Sequence, residues 1–154
     1  MNQWVERGER HALKITKNTL LVGLVIFICS YGGLYLAVRM FPNFFVKYLD
    51  PIFNSAGERD IFFYLHPFIL AFALAIFWNR FRKYFHGNKI KIGLEFGAIY
   101  AFVALVPLLW ITWSAMDIPL SMAVTWLVYG LFQATLAGIM LSYLDPSNVV
   151  SPQG

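Results

Sequence analysis

The chain has 154 residues, of which 59% are hydrophobic and only 13% are charged. Soluble domains are about half apolar and about a quarter charged, so this composition argues against a water-soluble fold. The net charge of +4 does not indicate nucleic-acid binding, because the basic residues flank apolar runs, where membrane topology and anionic lipid headgroups account for them.

Four stretches of the chain are apolar and long enough to cross a hydrocarbon core, which takes roughly 20 helical residues. We predict spans over residues 19–38, 61–85, 92–113 and 119–144. They belong to a transmembrane domain of residues 18–144, with a basic arm (1–17) before it and a flexible tail (145–154) after it. The predicted fold is an all-α membrane protein whose four transmembrane helices form an antiparallel bundle.

Two polar segments flank the first span. The N-terminal arm is basic with some apolar character, so it either lies on the membrane surface as a short helix or is a solvated tail. The first connection, residues 39–60, is rich in proline and aromatic side chains, which favours a segment at the level of the lipid headgroups. An aromatic ligand pocket is the alternative interpretation of this connection.

The second span contains Pro67, and proline is tolerated in the first turn of a helix, where its missing N–H is not needed. The regular helix is therefore predicted to begin near His66 and Pro67, with Ile61–Leu65 as an interfacial lead-in. The other end of this span and the start of the third carry cations that can reach lipid phosphates. The predicted headgroup contacts are Arg80, Arg82, Lys83, Lys89 and Lys91.

The distribution of lysine and arginine predicts the orientation in the membrane. The N-terminal arm and the connection between the second and third spans together carry nine of these residues, against three in the first connection. With four spans, the arm, the second connection and the tail share one side of the membrane. The positive-inside rule therefore places the N and C termini in the cytoplasm.

Small residues recur at every fourth position along the third and fourth spans. They are Gly93, Gly97 and Ala101 on the third span, and Gly130, Ala134 and Gly138 on the fourth. In lipid, close backbone approach at small residues is a main source of helix packing. We therefore predict a hairpin with these pairs of facing residues: Gly97 and Ala134, Gly93 and Gly138, Ala101 and Gly130. Homodimerisation through one ladder is the alternative.

Glu95 is the only acidic residue within the third span, and an ionisable residue inside a span is a candidate functional site. It lies four residues after Lys91, in the predicted first turn, where the helix dipole favours a carboxylate. Its separation from the glycines on either side rotates it about 200° away from the ladder. We therefore favour an interfacial helix-start carboxylate over a proton or cation site.

Gln133 is the most informative polar residue of the fourth span, because a mid-span amide prefers a partner on a neighbouring helix. Together with Tyr100 or Tyr129, it would line a small polar cavity. The candidate intramembrane polar site therefore consists of Glu95, Gln133, Tyr100 and Tyr129. A single interhelical hydrogen bond explains Gln133 equally well.

Motifs for catalysis or metal binding are missing from the sequence, which has a single cysteine, Cys29, and no paired metal ligands at the usual spacings. No metal and no cofactor is therefore predicted. Asp60 and His66 on the outer side are the nearest approach to an acid–base pair, and their spacing is not diagnostic.

These features favour a non-enzymatic structural or assembly subunit of a homo-oligomer or of a larger membrane complex. Its predicted partners are a lipid bilayer with anionic headgroups and another membrane protein or a second copy. A small oligomeric channel or transporter that uses Glu95 and Gln133 is the alternative, and a lipid-modifying enzyme is a third hypothesis. The composition leans toward the cytoplasmic membrane of a bacterium, and no motif indicates a particular family.

Overall fold

A computed structural model describes residues 2–49, 57 and 59–145, and it describes their side chains from residue 13 onward except at 44, 47 and 49. All the regular structure in these residues is helical. The helices are α1 (Asn2–Met40), α2 (Pro42–Phe45), α3 (Asp60–Phe81), α4 (Lys89–Tyr100), α5 (Val106–Ala115) and α6 (Leu120–Leu144). Short 3₁₀ turns follow α2 (Val46–Leu49) and α3 (Arg82–Tyr84). A π-helical turn, Ala101–Leu105, joins α4 to α5.

Four helical segments are long and apolar enough to cross a membrane: Leu13–Met40, Asp60–Tyr84, Lys89–Ala115 and Leu120–Leu144. The prediction of an all-helical chain with four such segments is confirmed. Helices suit an apolar surrounding because they pair their main-chain polar groups internally. The first segment starts earlier than predicted, since the N-terminal arm and the first span form one continuous helix, α1.

The chain divides into two compact units, residues 1–73 and 74–154, and the boundary falls inside α3. In the first unit, the buried residues Val22 and Ile26 form part of the core along α1. A Cβ on the buried Gly23 would lie 2.7 Å from Cδ1 of Phe68, so the glycine permits the close approach of α1 and α3.

The second unit is centred on Phe96 of α4, which is fully buried. Its ring lies 5.3 Å from that of Phe77, 5.6 Å from that of Trp78 and 5.7 Å from that of Phe85. Trp78 and Phe85 stack on each other at 5.8 Å. Offset and edge-to-face ring packing adds to the stability gained from area burial. These contacts fix the end of α3 and the connection after it to the start of α4.

The start of α3 differs from the prediction. The helix begins at Asp60, and Pro67 is buried in its interior, so the prediction of a helix start near His66 is wrong. The main-chain N–H groups of Phe62 and Phe63 donate to the carbonyl of Arg59 at 3.0 and 3.2 Å, which closes the first turn well before the proline. Residues 61–65 are therefore helical, and the proline interrupts an established helix.

Candidate functional site

The four residues of the predicted polar site lie in different surroundings. Glu95 is exposed on α4, whereas Gln133 of α6 is 1% exposed and has an interaction partner. Tyr100 and Tyr129 are half-buried. Within the part of the chain that the structure describes, no hydrogen bond or ion pair joins Glu95 to the other three.

Glu95 lies further along its helix than the sequence indicated. Because α4 begins at Lys89, where the Asn88 side chain accepts from the Lys91 N–H at 2.8 Å, Glu95 falls in the second turn. The prediction of a first-turn position is therefore wrong, and the dipole effect, which fades within the first turn, is weaker there. Glu95 is exposed while Gly93 and Gly97 are buried, so its side chain faces away from the glycine ladder.

Hydroxyl groups in the last two spans are largely satisfied by their own helices. Thr112 donates to the carbonyl of Leu108 at 2.7 Å, and Thr125 donates to that of Ser121 at 2.7 Å. The Ser114 hydroxyl and the Ser142 hydroxyl each donate to the carbonyl three residues earlier, at 3.1 and 2.6 Å. Back-bonding of this kind hides a hydroxyl from lipid and leaves it less available to a ligand.

The glycines of the third span lie directly against α6. A Cβ on Gly93 would lie 2.8 Å from the main-chain nitrogen of Ile139, and one on Gly97 would lie 2.8 Å from that of Thr135. A Cβ on Gly138 would lie 3.1 Å from the Cα of Gly93. Main chain cannot yield to a side chain as a flexible chain end can. Glycine is therefore required at these positions for the observed approach of the two helices.

The individual pairs differ in part from the predicted register. Gly97 lies against Thr135, the neighbour of Ala134, and the atoms nearest to Gly130 belong to Leu105, not to Ala101. Side chains on a helix lean toward its N-terminus, so Leu105 covers a position on α6 level with the turn before it. Ala101 and Ala134 are nevertheless both buried, at 7% and 0% exposure.

Two of the five predicted headgroup contacts are paired with residues at the end of α6. Arg82 forms an ion pair with Asp145, whose side chain is 6% exposed, at the C-terminal end of α6. The ammonium group of Lys89 lies 4.0 Å above the ring of Tyr143, a cation–π contact. Both contacts tie the connection between the second and third spans to the end of the fourth.

The other three predicted headgroup contacts, Arg80, Lys83 and Lys91, are exposed. They surround a connection that turns through Gly87, whose φ of +123° favours glycine. The ammonium group of Lys83 also lies 4.9 Å from the centroid of the Tyr84 ring, a cation–π contact within the connection.

Pro67 interrupts α3, and the first unit supplies the missing hydrogen bond from a neighbouring helix. An α-helix would pair the carbonyl of Phe63 with the N–H of residue 67, which proline lacks. The hydroxyl of Tyr31 on α1 donates to this carbonyl at 2.7 Å. Ring contacts of Tyr31 with Phe63 at 5.6 Å and Tyr64 at 5.3 Å hold the phenol in place.

Pro107 interrupts the third span, and the π-helical turn lies immediately before it. The N–H of Val106 donates to the carbonyl of Ala101, five residues earlier, instead of the carbonyl four residues earlier. Single π-helical turns inside α-helices are often found at functional sites. Sequence reasoning missed this feature, and the proline in the middle of an apolar span was the signal that could have revealed it.

The residues considered for enzymatic chemistry remain apart from a defined site. Asp60 and His66 are both exposed on α3. Among the described residues, no group of three His, Cys, Asp or Glu side chains is arranged to hold a metal ion.

In comparisons with known proteins, no family model, no curated protein and no solved structure matches the chain.

Proposed function

We propose that the chain is a non-enzymatic subunit that assembles with other proteins in a membrane. The glycine seam between α4 and α6 is the observation that carries this proposal. Because main-chain atoms of Ile139 and Thr135 would lie 2.8 Å from a Cβ at Gly93 and Gly97, the inner faces of the hairpin are closed by close packing. The opposite face of the third span is apolar and exposed, and large exposed apolar surfaces serve lipid or protein contact.

Purification from the native membrane in mild detergent, followed by mass measurement of the intact particle, tests the proposal. We expect the chain to travel in a particle heavier than one copy plus its detergent and lipid. A matched sample of the Gly97→Leu variant, in which the seam cannot close, should lose this assembly. A strictly monomeric wild-type protein with no co-purifying protein would contradict the proposed function.

In the proposed arrangement, the four helices form an antiparallel bundle in the cytoplasmic membrane of a bacterium, with both termini in the cytoplasm. The nine-to-three distribution of lysine and arginine supports this orientation. The exposed cations Arg80, Lys83 and Lys91 then contact anionic lipid headgroups on the cytoplasmic side.

Cysteine labelling tests the orientation, starting from a Cys29→Ser background. We expect a membrane-impermeant maleimide to label Asp117→Cys in intact cells, and His86→Cys only after the membrane is permeabilised. Both positions are exposed in connections between spans, so accessibility of the side chain does not bias the comparison. The reverse labelling pattern would invert the proposed topology.

A small oligomeric channel or transporter is the second candidate, and the interruption of the third span favours it. Broken helices line the binding sites of many transporters, and the π-helical turn at Ala101–Leu105 is a mild interruption of this kind. Glu95 and Gln133 are the polar residues proposed for such a path. Ion flux into proteoliposomes that falls on Glu95→Gln substitution would support this candidate, whereas unchanged flux would remove Glu95 from it.

A further inference from the structure

Two exposed tryptophans lie near the end of the third span. Trp110 and Trp113 are 69% and 40% exposed, and their rings meet edge to face at 6.3 Å. They are three positions apart on α5, so they lie on one face of this helix. Each indole combines a large apolar ring with one N–H donor. It therefore suits surroundings that are apolar on one side and polar on the other.

The hydroxyl groups beside the tryptophans are already used within the helix. Thr112 donates to the carbonyl of Leu108 at 2.7 Å, and Ser114 donates to that of Ile111 at 3.1 Å. Neither hydroxyl therefore competes for an acceptor outside the helix, whereas each exposed indole brings an N–H to its surroundings. An acyl chain offers no acceptor for it, but the ester and phosphate oxygens of a phospholipid do.

The distance from the basic start of the third span indicates what surrounds the tryptophans. Lys91 is exposed in the first turn of α4, and Trp110 lies 19 positions further along one helical segment. At a rise of 1.5 Å per residue, the two levels are about 28 Å apart. The hydrocarbon core between the two headgroup layers of a bilayer is about 30 Å thick. With the ammonium group of Lys91 at one headgroup layer, the tryptophans lie at the other.

The first unit has the same spacing on α1. Lys17 and Tyr35 are both exposed and lie 18 positions apart, which is about 27 Å along the helix. The guanidinium group of Arg39 lies 4.5 Å from the centroid of the Tyr35 ring, so a second cation marks this end. A helix of each unit thus carries a cation and an exposed amphipathic ring at nearly the same separation. A hydrocarbon core imposes such a common separation, whereas contact with another protein does not.

The exposed surface of the third span between Lys91 and Trp110 is apolar apart from Glu95. Leu94 and Phe102, for example, are 57% and 76% exposed. Glu95 lies one turn after Lys91, and side chains lean toward the N-terminus of their helix, so its carboxylate extends toward the level of Lys91. The charged groups therefore lie at one end of the segment and the indoles at the other, as acyl chains between two headgroup layers require.

We infer that Trp110 and Trp113 dock on the phospholipid headgroup layer opposite the layer that Lys91 contacts. Each indole N–H donates to an ester or phosphate oxygen, while the rings pack on the acyl carbons next to the headgroup. The pair sets the depth of the third span and fits it to a hydrocarbon core of about 28 Å. This anchoring requires the membrane location in the proposed function, but not assembly with another protein.

Fluorine NMR tests the anchoring on the full chain. 5-Fluorotryptophan replaces every tryptophan, and single Trp→Phe substitutions assign the resonances. The membranes contain a phospholipid that carries a nitroxide either near its headgroup or near the end of an acyl chain, and polymer discs cut from them retain any bound partner. We expect the shallow nitroxide to broaden the Trp110 and Trp113 resonances roughly twofold more than the deep one, as for rings at the interface.

Two positions of the same chain serve as controls. Trp78 is 4% exposed, so its resonance should respond least to either nitroxide. Phe102 is 76% exposed and is the central residue of the segment Lys89–Ala115. The indole of a Phe102→Trp variant should therefore be broadened more by the deep nitroxide than by the shallow one.

Bilayers of stepwise longer acyl chains test the fit in thickness. The midpoint temperature of unfolding should peak where the hydrocarbon core is about 28 Å thick, because a mismatch in either direction costs free energy. Replacing both tryptophans by leucine keeps an apolar surface and removes the indole donors, so it should flatten this peak. A peak that survives the double substitution would mean that the tryptophans do not set the depth.

Three further outcomes would overturn the inference. Stronger broadening of Trp110 and Trp113 by the deep nitroxide would place them in the hydrocarbon core. No broadening by either lipid, while the Phe102→Trp indole responds, would mean that protein covers them. Broadening by a water-soluble gadolinium chelate alone would place them outside the bilayer.

The anchoring and the proposed function fail independently. Each of these outcomes leaves the proposed assembly standing if the protein still co-purifies with a partner. Conversely, a strictly monomeric protein whose tryptophans respond as expected would remove the proposed assembly and keep the anchoring.

Discussion

The helices that contain Pro67 and Pro107 accommodate the missing proline N–H in different ways. Pro67 frees the carbonyl of Phe63, and the hydroxyl of Tyr31 occupies it at 2.7 Å within the same unit. Pro107 has no N–H for the carbonyl of Val103, and the π-helical turn before it pairs the N–H of Val106 with the carbonyl of Ala101. The same covalent defect is thus met by a donor from a neighbouring helix in one region and by a change of helix type in the other.

Depth makes this difference informative. Phe63 is the fourth residue of its segment, Asp60–Tyr84, near an end where water could serve its carbonyl. Phe102 is central in its segment, where nothing but protein can donate. The neighbouring helix thus supplies the donor near a segment end, whereas at the centre of the third span the helix itself changes its hydrogen-bond pattern.

The largest expected effect comes from replacing a glycine in the seam between α4 and α6 by a larger residue. Gly97→Leu should destabilise the protein by about 3 kcal/mol, because its Cβ alone would meet the main chain of Thr135. Gly33→Leu is the control: a Cβ there meets nothing within 4 Å, so the change should stay within about 0.5 kcal/mol. Unfolding in mixed micelles measures both. Equal effects would show that the seam is not tightly packed.

A smaller effect should distinguish the two prolines directly. Pro107→Ala should stabilise the purified chain by about 1–2 kcal/mol, because it restores the N–H that proline removes from the helix. Pro67→Ala should gain less than about 1 kcal/mol, since the new N–H only competes with a hydrogen bond that already exists. The difference in unfolding free energy between the two variants is the measurement. Equal gains would erase the distinction between the two prolines.

The smallest effect isolates the hydrogen bond from Tyr31 to the carbonyl of Phe63. Tyr31→Phe should destabilise the chain by about 1 kcal/mol, because the Phe63 carbonyl loses its donor while ring packing is kept. In a Pro67→Ala background the same change should have almost no effect, since the helix supplies the donor. A double-mutant cycle reports this coupling. An additive result would mean that the tyrosine does not compensate for the proline.

The helical class and the four spans could be predicted from the sequence, because length and apolar composition alone determine which segments suit a bilayer. The direction of Glu95 followed from its spacing to Gly93 and Gly97, since helical periodicity fixes relative direction. Both features depend on the sequence of a single helix and not on its neighbours.

Features that depend on two elements were harder to predict. The start of α3 was misplaced because proline was expected only in a first turn, whereas Tyr31 on another helix makes an interior position tolerable. The pairing of Arg82 with Asp145 was missed because nothing in the local sequence brings the ends of two spans together. The residue facing Gly130 was Leu105 and not Ala101 because side chains lean along the helix axis.

Carbonyl chemical shifts in solid-state NMR test the central claim most directly. Labelling with carbonyl-¹³C phenylalanine and ¹⁵N-tyrosine selects the carbonyl of Phe63. The reason is that Phe63–Tyr64 is the one Phe-Tyr pair in the sequence. Labelling with ¹⁵N-valine in place of ¹⁵N-tyrosine selects the carbonyl of Phe102, which precedes Val103. A Val46→Ile substitution is needed first, because it removes the other Phe-Val pair of the sequence. In the purified chain in bilayers, we predict a hydrogen-bonded, downfield Phe63 carbonyl and an upfield Phe102 carbonyl, the latter moving downfield on Pro107→Ala. A Phe102 carbonyl already as far downfield as Phe63 would contradict the account.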